Sequence, residues 1–439
     1  MGWIIVLITA ALGLYMAWNI GANDVANSMA DAVGSKSISI KKAIIAAGIC
    51  EFAGAVLVGS HVTNTVRKGI VSPERFTNIP GLEGTHEAAA LLAIGMAAAL
   101  LAAALWLNLA TWMSMPVSTT HSIVGAIAGF GITAAGWSAV NWDKMGQIVA
   151  SWFISPVAGG ILAFIFFKLI SWAILGQRKP VKAAVRFAPI IVFFTGITVT
   201  LAIFYKGLKH LLSEADWLTG TRAIGISLAI GLLCAWLSKY LIKRFLRQDG
   251  NRPLHEQLEK VEKIFAPLVI ATSCCVAFAH GSNDVANAVG PIAAVAEIVR
   301  SGTVQMKVSV PFWILALGGC GITLGLAMYG YRVMRTVGEK ITQITPSRGV
   351  AADVAATTTV LLCSRLGLPI STTHTLVGAI LGVGLARGLG AVDKKVTRNI
   401  FASWLITVPA AAVLSMGFFL LGRAFLFNSV LKLIEATPA

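Results

Sequence analysis

The chain has 439 residues, 56% of them hydrophobic and only 12% charged, with a formal net charge of +16. Soluble domains carry about 25% charged residues, so a large water-soluble core is excluded. The basic residues punctuate the whole chain instead of gathering in one tail or face, which argues against a nucleic-acid partner and for membrane topology.

Taken in chain order, apolar blocks separated by short charged stretches predict about twelve membrane-spanning helices. They lie near 2–20, 43–60, 88–107, 118–136, 147–170, 187–206, 222–242, 263–281, 310–330, 350–366, 371–388 and 400–424. Runs of roughly 20 apolar residues are what a helix needs to cross a bilayer. The first run has no basic stretch before it and leads into GANDVAN (21–27), so it reads as a retained span and not as a signal peptide. The two most basic loops, 178–186 and 239–263, are two spans apart and so lie on one side, assigned to the cytoplasm by their Lys and Arg. Loops 36–42, 332–348 and 387–398 then fall inside as well, and both termini outside. The six cysteines (50, 234, 274, 275, 320, 363) show no metal-binding spacing and read as small membrane-core side chains.

Three segments recur in the same order. GANDVAN (21–27) returns as GSNDVAN (281–287), MPVSTTHSIVGAIAGFGI (115–132) as LPISTTHTLVGAILGVGL (368–385), and SWFISP (151–156) as SWLITVP (403–409). Seven predicted spans separate the start of the two copies, and an odd number turns the second copy upside down. The expected fold is therefore an all-α membrane protein of two inverted repeats, 1–170 and 263–439. Two linking helices and a basic cytoplasmic loop occupy 171–262, and broken or re-entrant helices sit at the site, a transporter architecture. A merely structural duplication is the alternative, but it gives no reason to keep polar heptads.

Asp24 and Asp284 are each flanked by Asn at −1 and +3: Asn23 and Asn27, Asn283 and Asn287. An ionised Asp inside a span costs about 2.5–3.5 kcal/mol on insertion scales. Gly21 and Gly281 would permit an unwound turn whose carbonyls join the side-chain oxygens. Such a hard-oxygen set suits Na⁺ or a proton; a buried hydrogen-bonded cluster is the alternative.

Pro116 and Pro369 suit a helix start just after them. Ser118, Thr119, Thr120 and Ser371, Thr372, Thr373 would then occupy first helical turns, whose free N–H groups and positive dipole end cradle an oxyanion. Simple capping of a loop is the alternative. His121 and His374 follow directly and read as hydrogen-bond donors behind the ligands. Glu51 lies mid-span, and the local match GIC/GGC pairs it with Gly321, so it has no carboxylate counterpart. It is a coupling-ion or proton candidate. Thr111 and Ser114 carry a weaker signal for the same cavity, and Arg365 reads as a span end. No P-loop, GxSxG, HExxH or Cys/His framework is present. The expectation is thus no enzyme and no cofactor, with energy drawn from an ion gradient.

With GANDVANS, GSNDVANA and the paired P(V/I)STTH segments in view, the chain resembles the inorganic phosphate transporter (PiT) family of sodium- or proton-coupled symporters. The resemblance implies twelve helices in inverted repeats, a homodimer in the bilayer, and phosphate as substrate. It implies sodium ligands at Asn23, Asp24, Asn283 and Asp284. Phosphate contacts would come from Ser118, Thr119, Thr120, Ser371, Thr372 and Thr373, with Asn27 and Asn287 between the two sets. Glu51 matches a family carboxylate, whereas Gly321 departs from the second one that some relatives carry. The short 239–263 segment points to the plasma or inner membrane of a prokaryote. The expected function is sodium-driven phosphate import. The alternatives are a proton-coupled phosphate or sulfate permease, an anion channel, or a membrane-embedded enzyme.

Overall fold

The computed structural model describes residues 2–71, 76, 85–204, 220–246, 253–304, 310–365 and 370–436. Pro369 and the side chain of Arg365 lie outside this set. The long helices are α1 (Trp3–Ile20), α2 (Ile40–Ile70), α3 (Thr85–Trp112), α4 (Thr119–Ala135), α5 (Trp142–Ile170) and α6 (Pro180–Ile203). They continue with α7 (Gly220–Leu246), α8 (Leu254–Ser301), α9 (Phe312–Tyr329), α10 (Pro346–Arg365), α11 (Thr372–Arg387) and α12 (Lys394–Glu435). Among the described residues every predicted span falls on a helix, and the one extended pairing is an isolated bridge between Val71 and Val140.

Among the described residues, eight helices are apolar and long enough by themselves to cross a membrane. The predicted spans outside that set, α2, α4, α10 and α11, are shorter or more polar. They carry Glu51, the Ser118–Thr120 start, a buried Asp353 and the Ser371–Thr373 start. These buried polar residues lower the hydropathy of the helices that carry them. The accessible surface is correspondingly oily: Leu7 is 69% exposed, Trp172 72% and Phe425 78%, while Asp24, Glu51 and Asp284 are buried. A soluble monomer does not present apolar surface on this scale, so the outer face is the lipid face and this is a multi-pass membrane protein.

Helices of the first copy pack on helices of the second. α2 lies along α8, α1 along α9, α4 against α12 and α11 against α5, while α6 and α7 pair with each other. The contacts correspond. A side chain on Gly125 would strike the Val408 carbonyl, and one on Gly378 the Pro156 carbonyl. Ser118 and Ser371 cap α4 and α11 in the same extended conformation. Each of these two helices ends at a glycine of positive φ, Gly136 at +81° and Gly388 at +122°.

Three expectations need correcting. The basic stretch 239–263 is largely helix, because α7 runs to Leu246 and α8 begins at Leu254. The span expected at 263–281 belongs to a 48-residue helix that continues through GSNDVAN to Ser301. Only the first copy breaks: Gly21–Val25 widens into a π-helical turn, and Met29, at φ −104° and ψ 1°, separates Ala26–Ser28 from Ala30–Gly34. Gly21 and Gly281 serve close packing. A side chain on Gly21 would meet the Ile322 carbonyl, and one on Gly281 the Glu51 carbonyl. The same pair of contacts puts Ile322, not Gly321, in the place that corresponds to Glu51.

Candidate functional site

The site forms where two helix starts meet the two NDVAN segments. After α3 the chain reverses through Ser114, whose φ of +58° belongs to the left-handed region. Its backbone N–H donates to the Thr111 carbonyl over 2.9 Å. Ser114 therefore makes the turn. Extended backbone at Ser118 then admits α4, with the Ser118 hydroxyl accepting the His121 N–H over 3.3 Å. Ser371 caps α11 identically, accepting the His374 N–H over 3.3 Å. In each case the serine oxygen takes one of the four first-turn N–H groups that a helix cannot satisfy itself.

Asn23 fastens the first of these starts. Its Nδ2 donates to Thr111 Oγ1 and to the Met115 carbonyl, each over 2.9 Å, and its Oδ1 accepts the Val117 N–H over 3.0 Å. The side chain assigned to a cation from the sequence is spent on positioning the loop. Thr111, a weak candidate, is firmly part of that clamp.

Asp24 joins both starts. Thr119 donates to its Oδ2 through the hydroxyl, over 2.7 Å, and through the backbone N–H, over 3.4 Å. The Thr373 hydroxyl donates to the other oxygen. From α8, Asn287 Nδ2 reaches Thr120 Oγ1 at 3.1 Å and Thr119 Oγ1 at 3.4 Å. One carboxylate and one amide thus hold four elements together. The protons of Thr119 and Thr373 are committed to Asp24, whereas Ser118, Thr120, Ser371 and Thr372 donate theirs to no protein acceptor among the described residues.

The two aspartates are neighbours. Asp24, His280 and Asp284 each bring a ligand atom into a group spanning no more than 4.8 Å, and all three are buried. His280 Nδ1 lies 3.6 Å from Asp284 Oδ2. Asn283 Nδ2 donates to Asp284 Oδ1 over 2.9 Å. Asn27 donates to the Asn23 carbonyl over 3.4 Å, and its own Oδ1 is buried without a hydrogen-bond partner among the described residues. The two carboxylates and this orphaned amide oxygen are donors of the kind a hard cation takes. His280 was missed by sequence reasoning. Its signal was available, since it stands four residues before Asp284 and so on the same helical face.

Glu51 is fully buried, and neither of its oxygens has a hydrogen-bond partner among the described residues. It feels the charges of Asp284 and Asp24. His121 and His374 do not donate toward the site as expected. Their rings meet edge to face at 4.8 Å, with His374 stacked on Trp404 at 3.8 Å and His121 tilted against Trp152 at 5.4 Å. They form an aromatic floor beneath the two helix starts. A small cavity of about 20 Å³ adjoins the site, lined by His280, Thr357 and Thr372 among others. It has room for one water-sized guest.

The electrostatic balance is one-sided. Asp24, Glu51 and Asp284 are buried, and no Lys or Arg is buried among the described residues. Buried negative charge is costly unless it is offset, so this cluster calls for protons or cations.

Residues 20–415 match the model of the phosphate transporter family. A protein of Thermococcus kodakarensis described as a phosphate permease is 47% identical over 424 residues, spanning 96% of this chain and 97% of the relative. A phosphate permease of Haemophilus influenzae is 44% identical over 429 residues, spanning 97% and 98%. A solved structure titled the sodium-dependent phosphate transporter superposes with a TM-score of 0.80 at 41% identity, over 96% of this chain and all of that one.

Proposed function

The chain belongs to the phosphate transporter family, is a membrane transporter rather than an enzyme, and on that premise we propose that it imports inorganic phosphate by sodium-driven symport. The observation that carries this reading is the buried cluster in which Asp24, close to Asp284 and His280, accepts hydroxyl protons from both capped helix starts. Sodium ions are held by Asp24, Asp284 and the Asn27 amide oxygen, with Asn283 beside them. Glu51 adds a further negative charge that favours cation entry. Asn23 and Asn287 align the helix starts.

Once cations offset the carboxylates, phosphate binds to the hydroxyls of Ser118, Thr120, Ser371 and Thr372 and to the first-turn amides of α4 and α11. Helix N-termini favour anions. Thr119 and Thr373 link this anion site to Asp24, so cation and phosphate binding are coupled through shared hydrogen bonds. The repeats, 1–170 and 263–439, are inverted and move against each other to expose the chamber alternately, with 171–262 linking them. The transporter works as a homodimer in the plasma or inner membrane of a prokaryote. Its exposed α6–α7 pair, with Leu232, Leu233 and Trp236 outward, supports a second protein or lipid neighbour there.

Phosphate is favoured over sulfate because protonated phosphate can donate to carboxylate and amide oxygens, whereas sulfate only accepts. In proteoliposomes, labelled phosphate uptake should follow an inward sodium gradient and resist excess sulfate. Moving one net charge across 100 mV is worth about 2.3 kcal/mol, about 50-fold in accumulation. Uptake driven by a pH gradient with no response to sodium overturns sodium coupling, and competition by sulfate overturns the substrate assignment.

A further inference from the structure

Glycine spacing shapes a groove on the lipid face of the second copy. α11 carries Gly378 and Gly382 one turn apart, and both lie tight against α5. A side chain on Gly378 would strike the Pro156 carbonyl, and one on Gly382 the Gly160 carbonyl. These positions therefore put no side chain into the space beside them. α12 meets the pair at Trp404, whose ring stacks on His374. Between α5, α11 and α12 a groove of about 450 Å³ remains. Gly378 and Gly382 are buried at its floor, while Phe153, Val157, Ile161 and Leu405 stand exposed at its rim. The lining is glycine, proline, aliphatic and aromatic, with no charged or hydroxyl side chain. On α5 it runs from Trp152 to Phe164. That stretch of helix rises about 18 Å, somewhat more than half of the roughly 30 Å hydrocarbon core.

Water has no hydrogen-bond partners in such a groove, so its occupant is apolar. The charges at one end say more. Lys168 lies one turn beyond Phe164, its amine 5.7 Å from the centre of that ring. Arg398 precedes Phe401, a lining residue, by three positions and so shares its helical face. Arg387 ends α11, and Lys394 and Lys395 begin α12. Among the described residues at these three helix ends the one acid is Asp393, which caps α12 by accepting the Val396 N–H. An apolar slot with a cationic end complements a molecule with a long hydrocarbon chain and an anionic head. A second copy of the chain fits less well. An isologous contact presents the same patch from both sides and would set these cations against each other.

We propose that the groove between α5, α11 and α12 binds one acyl chain of an anionic phospholipid, whose phosphate is held by Lys168 and Arg398. The far end of the chain rests on Trp152 and Trp404. Those two rings also pack against His121 and His374 beneath the helix starts, so the lipid braces the aromatic floor of the site from outside.

The test is photolabelling of the reconstituted full chain, which needs no transport and so stands or falls independently of the proposed function. Phosphatidylcholine vesicles carry a trace of phosphatidylglycerol, or of phosphatidylcholine, with a diazirine halfway along one acyl chain. Adducts of the phosphatidylglycerol probe should concentrate on the groove peptides of α5 and α11, in excess over residues 232–236 of the exposed α7. Lys168→Gln with Arg398→Gln should cut that excess about fivefold per charge. Ile161→Trp with Leu385→Trp, which fills the groove from exposed positions, should abolish it. Equal labelling of the groove and α7 overturns the site, and equal capture of the two probes overturns its preference for an anionic head. Oxidative cross-linking of two Ile161→Cys copies, beyond that of wild type, puts a second copy in the groove and overturns the lipid as occupant. In parallel assays, replacing phosphatidylcholine by phosphatidylglycerol should raise phosphate uptake by wild type more than by the paired Trp variant. An equal response rejects the bracing role.

Discussion

Asp24→Asn is expected to lower sodium-driven phosphate uptake by about 100-fold or more. The substitution is nearly isosteric, so packing around the π-helical turn survives. What changes is charge. Asp24 accepts hydroxyl protons from Thr119 and Thr373, one from each helix start. Hydrogen bonds to a charged group are worth about 1.5–3 kcal/mol each, so weakening two costs about 3 kcal/mol at the low end, about 100-fold in a binding constant. On the proposed sodium symport, the cation loses a ligand at the same time. The measurement is initial uptake in proteoliposomes beside a thermal-unfolding scan. Retention of more than about a tenth of wild-type uptake, at unchanged thermal midpoint, rules Asp24 out as the shared centre. The double change Thr119→Val with Thr373→Val separates the two effects, because it keeps the charge and removes the linkage to the helix starts.

The second large effect concerns packing. In Gly281→Ala the added methyl meets the Glu51 backbone carbonyl and the Glu51 Cα, which lies 2.8 Å away. Backbone cannot swing aside as a side chain can, so α2 and α8 must separate. Overpacking of this kind costs about 1–3 kcal/mol, and here the strain falls between Glu51 and Asp284. The thermal midpoint should drop and uptake should fall with it. Gly146→Ala is the control: nothing lies within 4 Å of the added atom. Within helix α5 that change should be neutral or stabilising by up to about 1 kcal/mol. Equal behaviour of the two variants would refute the close-approach argument.

Sequence reasoning reached the parts of the site that rest on local chemistry. Both helix starts fall where the prolines predict them, but Ser118 and Ser371 stand one residue before the first turn as caps, the role given to them as the alternative. The meeting of Asp24 and Asp284 was legible from the repeat, since equivalent segments of two related halves tend to converge on one axis. Tertiary details were not legible. Gly21 and Gly281 read alike as helix breakers, yet only Gly21 opens a widened turn; glycine tolerates unwinding and close approach equally, and both residues meet an opposing carbonyl, of Ile322 and Glu51. Asn23 looked like a ligand because nothing nearby in sequence names Thr111, Met115 and Val117 as its partners. The pairing of Glu51 slipped by one residue because GIC/GGC and Gly54/Gly325 imply different alignments, and side-by-side helix contacts favour the latter.

The absence of any buried Lys or Arg among the described residues bears on the half of the cycle that carries nothing. Under the proposed sodium symport, an unloaded site keeps its negative charge, so an interior-negative potential drives that bare site back toward the outside. Membrane voltage would therefore hasten resetting as well as sodium entry, and turnover at saturating phosphate should still rise on hyperpolarisation.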